Sequence, residues 1–232
     1  MDSPLVGAAA FSLAALVPTS VFAVQRAAGP APAPDRAQVG VCTIGETSAP
    51  STSFNNIDLT QLITFQLLDP AECAACTGGS VNLDQLRWQI HYNSSLCPLT
   101  FEVTVVGSDH GACPRPDTTK IVCPTFTFIY LATGGPPHIA TIPFPPGCCV
   151  TGQAFVRVRI NDMGGCIPGT VGVFARGPCT GPCRSYASYL GSPLDDSCNL
   201  LGATPTIAVD ADCCSPTPAR GRSWGELKLH YR

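Results

Sequence analysis

Charge is scarce in this chain. Only 12% of its 232 residues are Asp, Glu, Lys or Arg, about half the usual share, and just two of its 13 basic residues are Lys. With a formal net charge of -3 and no clustered Lys and Arg, the electrostatic footprint that nucleic acid requires is missing, and nucleic-acid binding is set aside. Helical periodicity is nearly missing too: no long segment carries an apolar stripe at 3.6 residues, and only "NNIDLTQL" after Asn55 predicts a turn of helix. Beyond the first 23 residues no apolar run approaches the ~20 residues of a membrane-spanning helix, so no stable span is expected in the mature chain. A nucleophile elbow of the GxSxG kind, an HExxH pair and a phosphate-cradling glycine loop are also lacking, which removes the commonest hydrolase, metalloprotease and nucleotide-binding signatures.

What the chain has in quantity is cysteine, glycine and proline: 14 Cys, 22 Gly and 23 Pro, beside a 45% hydrophobic share that supplies material for a core. The opening "MDSPLVGAAAFSLAALVPTSVFAVQ" has an apolar centre from Leu5 to Val17 and small residues at Val21 and Ala23 spaced like a cleavage site. Residues 1–23 therefore read as a signal peptide, although Asp2 stands where a positive residue is expected. Residues 24–40 are rich in Ala and Pro and read as an extended linker.

The cysteines are Cys42, Cys73, Cys76, Cys97, Cys113, Cys123, Cys148, Cys149, Cys166, Cys179, Cys183, Cys198, Cys213 and Cys214. An even number in an exported chain predicts disulfides, up to seven here, and their span marks residues 41–214 as the folded unit. Connectivity does not follow from spacing. "CAAC" at Cys73 and Cys76 and "CTGPC" at Cys179 and Cys183 invite a zinc or redox reading. Zinc ribbons need two CxxC knuckles, though, and nothing around "CAAC" has the strand-to-helix pattern of a redox motif. Adjacent residues on a strand point to opposite faces, so Cys148 and Cys149, and likewise Cys213 and Cys214, are expected to bridge to different partners.

Period-two alternation dominates the folded unit. "LRWQIHYN" sets Leu86, Trp88, Ile90 and Tyr92 against Arg87, Gln89 and His91, which makes Trp88 and Tyr92 core candidates. "LTFEVTVVG" (99–107) and "AFVRVRI" (154–160) repeat the pattern, and further strands are predicted at 41–46, 61–68, 125–132, 138–144, 170–176 and 205–211. Nine short strands separated by Gly, Pro and Asn predict an all-β fold: one disulfide-stapled β-sandwich, jelly-roll-like or immunoglobulin-like, with long loops.

Chemistry-bearing constellations are few. Ser108, Asp109 and His110 are the residue types of a hydrolytic triad, but consecutive residues cannot take up its geometry, and "GSDHG" reads as a polar turn. Asp195, Asp196, Asp210 and Asp212 lie near strand ends and are the calcium candidates, since calcium takes six to eight oxygen ligands. Tyr186 and Tyr189, in a stretch that reads as a loop beside Arg184, are the candidates for contacting a glycan. "YNSS" at Asn93 would accept a glycan only in a eukaryotic secretory route, and the preference for Arg over Lys points to a GC-rich bacterial coding bias instead.

After Cys214 the composition changes to "SPTPARGRSWGELKLHYR" (215–232), a linker followed by a segment with two periodicities. Ser223 and Glu226 form a capping-box pattern for a short helix, while "ELKLHYR" alternates as an added strand would. The pairing of "GCCVTGQAFVRV" with this tail, in which Trp224, Gly225, Lys228, Tyr231 and Arg232 are the specific residues, resembles uncharacterised cysteine-rich secreted bacterial proteins. That resemblance covers about the second half of the chain and implies a secreted β-sandwich with a C-terminal sorting or docking tail, without implying a catalytic activity or a ligand. The expected function is an exported extracellular or cell-surface binding or structural module without catalysis, with an extracellular protein or a glycan as partner and sorting machinery as a partner of the tail. No cofactor is expected apart from the calcium option. Two alternatives stand beside it: a calcium-supported carbohydrate-binding module, and a secreted hydrolase with a dispersed site around His91 or His110.

Overall fold

The computed structural model describes residues 42–214, apart from 56, 93–96, 133–137, 168 and 180; the signal-peptide, linker and tail readings lie outside the described residues. Alternating chains of this kind bury one face per strand, and two such sheets stack into a sandwich. Fourteen strands do so: β1 (Cys42–Gly45), β2 (Thr52–Phe54), β3 (Leu62–Leu68), β4 (Ser80–Tyr92), β5 (Leu99–Ser108), β6 (Pro116–Tyr130), β7 (His138–Pro143), β8 (Cys149–Thr151), β9 (Ala154–Asp162), β10 (Val171–Arg176), β11 (Ser185–Tyr189), β12 (Asp195–Asp196), β13 (Thr204–Pro205) and β14 (Ile207–Cys213). A five-residue helix, α1 (Ser197–Leu201), is capped by Asp196 at its start and by Gly202, in the left-handed region, at its end. The turn predicted in "NNIDLTQL" is a 3-10 turn over Leu59–Gln61, with the Asp58 side chain accepting from the Thr60 N–H.

One sheet runs β1-β14-β4-β10-β13, with β2 on β10 and with β7 and β8 on β4; the other runs β12-β11-β3-β9-β5-β6, and every pairing is antiparallel. Between them lie Leu86, Trp88 and Ile90 of β4, Phe101, Val103 and Val105 of β5, and Val156, Val158 and Ile160 of β9. Trp88 is buried and its indole N–H donates to the Phe174 carbonyl at 3.2 Å, so this core tryptophan leaves no orphaned donor. Tyr92 packs against the same core edge-on to His138, and burial, then the nearby Tyr130, pushes its phenol up to about 12.

The long strand β4 changes phase within itself. Its buried residues are Val81 and Leu83 and then Leu86, Trp88 and Ile90, and the shift falls where β14 steps from Ala211, opposite Leu83, to Asp210, opposite Gln85. Asp84 is the extra residue of that bulge, which returns the apolar set to the core.

All 14 cysteines are bridged: Cys42–Cys73, Cys76–Cys213, Cys97–Cys166, Cys113–Cys183, Cys123–Cys148, Cys149–Cys214 and Cys179–Cys198, with Cα–Cα distances of 5.1–5.9 Å. Each adjacent pair diverges. Cys148 faces inward and reaches β6, while exposed Cys149 reaches Cys214; Cys213 in turn reaches Cys76. The Cys73 and Cys76 sulfurs of "CAAC" lie 3.3 Å apart, with that of Cys42 close by, because two separate bridges run side by side there. With every sulfur in a disulfide, none is the thiolate that a metal or a redox motif uses.

Candidate functional site

The outward face of the six-stranded sheet is where side-chain chemistry departs from an ordinary sandwich. Strand register sets its residues in three rungs: Leu67, Phe155 and Val106; then Tyr186, Phe65, Arg157 and Thr104; then Ser188, Ile63, Arg159 and Glu102. An outward face normally carries polar residues. Here the first rung is wholly apolar and the third mostly polar, with Glu102 paired to Arg157 at 3.1 Å. Phe65, Leu67, Val106, Phe155 and Tyr186 are all buried and form a second hydrophobic cluster separate from the core between the sheets.

The connection between β5 and β6 covers the Tyr186 end of this cluster, and Ile63 and Leu194 pack against it. Ser108 Oγ accepts from the His110 N–H at 3.1 Å, and Asp109 Oδ1 accepts from the N–H groups of Gly111 and Arg115, which hold its carboxyl below the usual range. "SDH" is thus a turn-forming unit: the Asp carboxylate is engaged by backbone N–H groups rather than placed behind the histidine as in a triad. The other histidine of the hydrolase alternative, His91, lies on β4 of the opposite sheet, edge-on to Phe174. The turn sends residues 111–116 back over the sheet, where the Cys113–Cys183 bridge pins them to the start of β11. Tyr186 donates its hydroxyl to the Pro114 carbonyl at 2.9 Å, and the Arg115 guanidinium sits 5.8 Å above its ring and donates to the Leu194 carbonyl. Burial, then the charge of Asp196, raises the Tyr186 phenol.

Two hollows flank this strap. One, of about 460 Å³, has a floor of Ile63, Phe65 and Val106, apolar walls from Ile121 and Leu194, and a rim of Thr118, Thr125, Arg157 and Ser188. The other, of about 560 Å³, lies between the Cys113–Cys183 and Cys179–Cys198 bridges and is lined by Arg115, Tyr186, Asp195, Asp196 and Asn199.

The residues singled out from sequence are distributed differently from the expectation. Tyr186 and Tyr189 lie on strand β11 rather than in a loop, and three residues apart on a strand means opposite faces: Tyr186 is buried in the outer cluster, and Tyr189 packs toward the core. They cannot flank one glycan. The four aspartates do not converge either. Asp196 spends its carboxylate on the N–H groups of Cys183 and Cys198, and Asp195 accepts from the Asp196 N–H and the Asn199 amide. Asp210, on the other sheet, accepts from Thr43, Gln85 and Arg87, each at 2.7 Å, which leaves little lone-pair capacity for a cation. Asp212 faces Asp84, whose carboxyl is raised by desolvation and then by the charge of Asp212, and the buried Asp84 Oδ2 has no hydrogen-bond donor. The outer rungs were missed in sequence because Ile63, Phe65, Leu67 and Phe155 each sit among inward-facing hydrophobics, where a continuous apolar run hides a second buried face.

No family profile matches this chain, and no curated protein matches it in sequence. Among solved structures it is similar to the one titled the cysteine protease and lectin-like domains of Cwp84, a surface layer associated protein of Clostridium difficile, at 10% identity and a TM-score of 0.42. That match covers 66% of this chain and about a third (32%) of the other.

Proposed function

We propose that this protein is an exported extracellular binding module, without catalytic activity, that takes an apolar segment of a partner protein into the hollow beside the β5–β6 strap. The carrying observation is the apolar lining of this hollow, exposed Ile121 and half-buried Ile63 and Leu194 over the buried Phe65 and Val106, on a sheet face that would ordinarily be polar. Seven disulfides and the leader-like start support export into an oxidising compartment. An apolar floor whose aromatic ring, Phe65, is buried, with hydroxyls and one guanidinium at its rim, suits a hydrophobic side chain flanked by backbone polar groups better than a sugar, which would ask for an exposed aromatic platform. Calcium has no part in this reading, because Asp195 and Asp196 accept from local N–H groups, Asp210 from Arg87, and Asp212 faces Asp84 away from the other three. Calcium at millimolar levels should leave the melting temperature unchanged, and a rise of several degrees would restore the calcium-supported alternative.

Ile121→Glu and Thr118→Arg, which charge the exposed wall and the rim of the hollow, test the proposal. Retention of the purified protein on cell-surface material of its source should fall at least tenfold, with melting unchanged. Undiminished retention by both variants overturns it.

A further inference from the structure

The seven disulfides differ in how far a dissolved thiol can reach them. Four have a buried cysteine on at least one side: Cys42–Cys73, Cys76–Cys213, Cys97–Cys166 and Cys123–Cys148. The other three, Cys113–Cys183, Cys149–Cys214 and Cys179–Cys198, have none. Opening Cys149–Cys214 would free little, because Cys213 beside it stays bridged to Cys76. The remaining two line the hollow of about 560 Å³, which gives a thiol-bearing molecule access to their sulfurs.

Cys113–Cys183 is set apart by what surrounds it. Cys113 is exposed, the Tyr186 hydroxyl lies 3.4 Å from its Sγ, and the Arg115 guanidinium sits over the Tyr186 ring. A hydrogen-bond donor and a nearby cation stabilise a departing thiolate, and Tyr186 can turn its proton from the Pro114 carbonyl to a sulfur that becomes anionic. At Cys198 the contacts are longer, a Thr204 hydroxyl at 3.9 Å and a Gly181 carbonyl at 4.0 Å, and the carbonyl cannot donate. Cys183 is the strained half of the bridge. Its φ of 70° lies in the left-handed region that a non-glycine residue rarely enters, and it is held there by the disulfide and by Asp196, whose Oδ2 accepts from its N–H at 2.7 Å. The Asp196 charge disfavours a thiolate at Cys183, so Cys113 is the better leaving sulfur.

The bridge also has mechanical consequence. Residues 109–115 form a loop whose base is the Ser108–Pro116 pair, and Cys113–Cys183 ties its far side to the start of β11. Without that tie the strap is left to hydrogen bonds such as Tyr186 to Pro114 and the 3.4 Å, exposed Arg115 to Leu194.

We propose that Cys113–Cys183 is a thiol-exchange site that takes a dithiol reductant, and that its reduction unlatches the β5–β6 strap from the six-stranded sheet. The reductant's thiolate attacks Cys183 Sγ and forms a mixed disulfide, while the Cys113–Cys183 bond breaks and Cys113 leaves as a thiolate that takes up a proton. The reductant's second thiol gives up its proton and displaces Cys183, so two electrons and two protons pass to the protein and the reductant departs as its own disulfide. The inference stands whether or not the hollow beside the strap binds a partner segment.

Differential alkylation read by mass spectrometry tests it, on the folded full-length protein exposed to dithiothreitol without denaturant. Cys113 and Cys183 should become alkylated about tenfold faster than any other cysteine, and strap amides over 109–115 should then exchange about tenfold faster. The Cys113→Ser/Cys183→Ser variant should show that fast strap exchange without reductant. With glutathione in place of dithiothreitol, the first mixed disulfide should form on Cys183. Earlier reduction of Cys149–Cys214 or Cys179–Cys198, or opening of all seven bridges together, overturns the proposal. Strap exchange that is the same with and without the bridge overturns the latch, and a first mixed disulfide on Cys113 overturns the direction of attack.

Discussion

The outward faces of the two sheets are built on different principles. On the eight-stranded sheet, Asp210 of β14 gathers Thr43 of β1 and Gln85 and Arg87 of β4, so the face is held by hydrogen bonds between side chains that water can reach. On the six-stranded sheet, Phe65, Leu67, Val106, Phe155 and Tyr186 make a buried apolar cluster, covered at its Tyr186 end by the β5–β6 strap with its own disulfide and flanked by Ile63 and Leu194. The contrast is one of partners: the polar face is held by side-chain hydrogen bonds, with the Arg87 Nε left without one, whereas the apolar face is only partly roofed and is the one on which the proposed function rests.

Three changes probe this contrast, in order of effect. Phe155→Ala should cost about 3–5 kcal/mol, as deletion of Phe101 between the sheets would, because both are fully buried and either leaves a cavity. Chemical denaturation reads it, and a loss below about 1 kcal/mol would make the outer cluster an ordinary surface. Asp210→Ala should cost about 1–2 kcal/mol, since it strips three donors of their acceptor while the 40% exposure of Arg87 lets solvent take part of the loss. The smallest effect is at Asp84→Asn. The Asp84 carboxyl is raised in the folded state, so its contribution is fully present below the ordinary carboxylate pKa and is lost as pH rises through the raised value. The Asn variant should therefore melt higher than the parent at neutral pH, with the gain vanishing toward pH 3–4; a gain that is constant with pH would mean that the Asp84 carboxyl is not raised.

Much of this architecture is legible in local pattern. Each of the nine predicted stretches lies on strand, from β1 to β14, because alternation is enforced by the pleat itself. The stretch at 205–211 divides at Thr206, whose N–H and hydroxyl both turn to the Phe174 carbonyl. Four strands, β2, β8, β11 and β12, were not legible: they are two to five residues long, mostly polar or small, and are held by neighbours rather than by their own periodicity. The first half of β6 was equally hidden, since its register shifts break the alternation over 116–124.

The sandwich class and the divergence of neighbouring cysteines are properties of the sequence alone, because pleat period and side-chain direction act over two or three residues. Which cysteines meet, why Tyr186 and Tyr189 part to opposite faces of one strand, and why Asp210 is consumed by Arg87 were decided only by tertiary structure. These depend on strands 31 to 137 residues apart in the case of Cys42–Cys73 and Cys76–Cys213, and on register across the sheet. No local pattern encodes which strand will lie opposite.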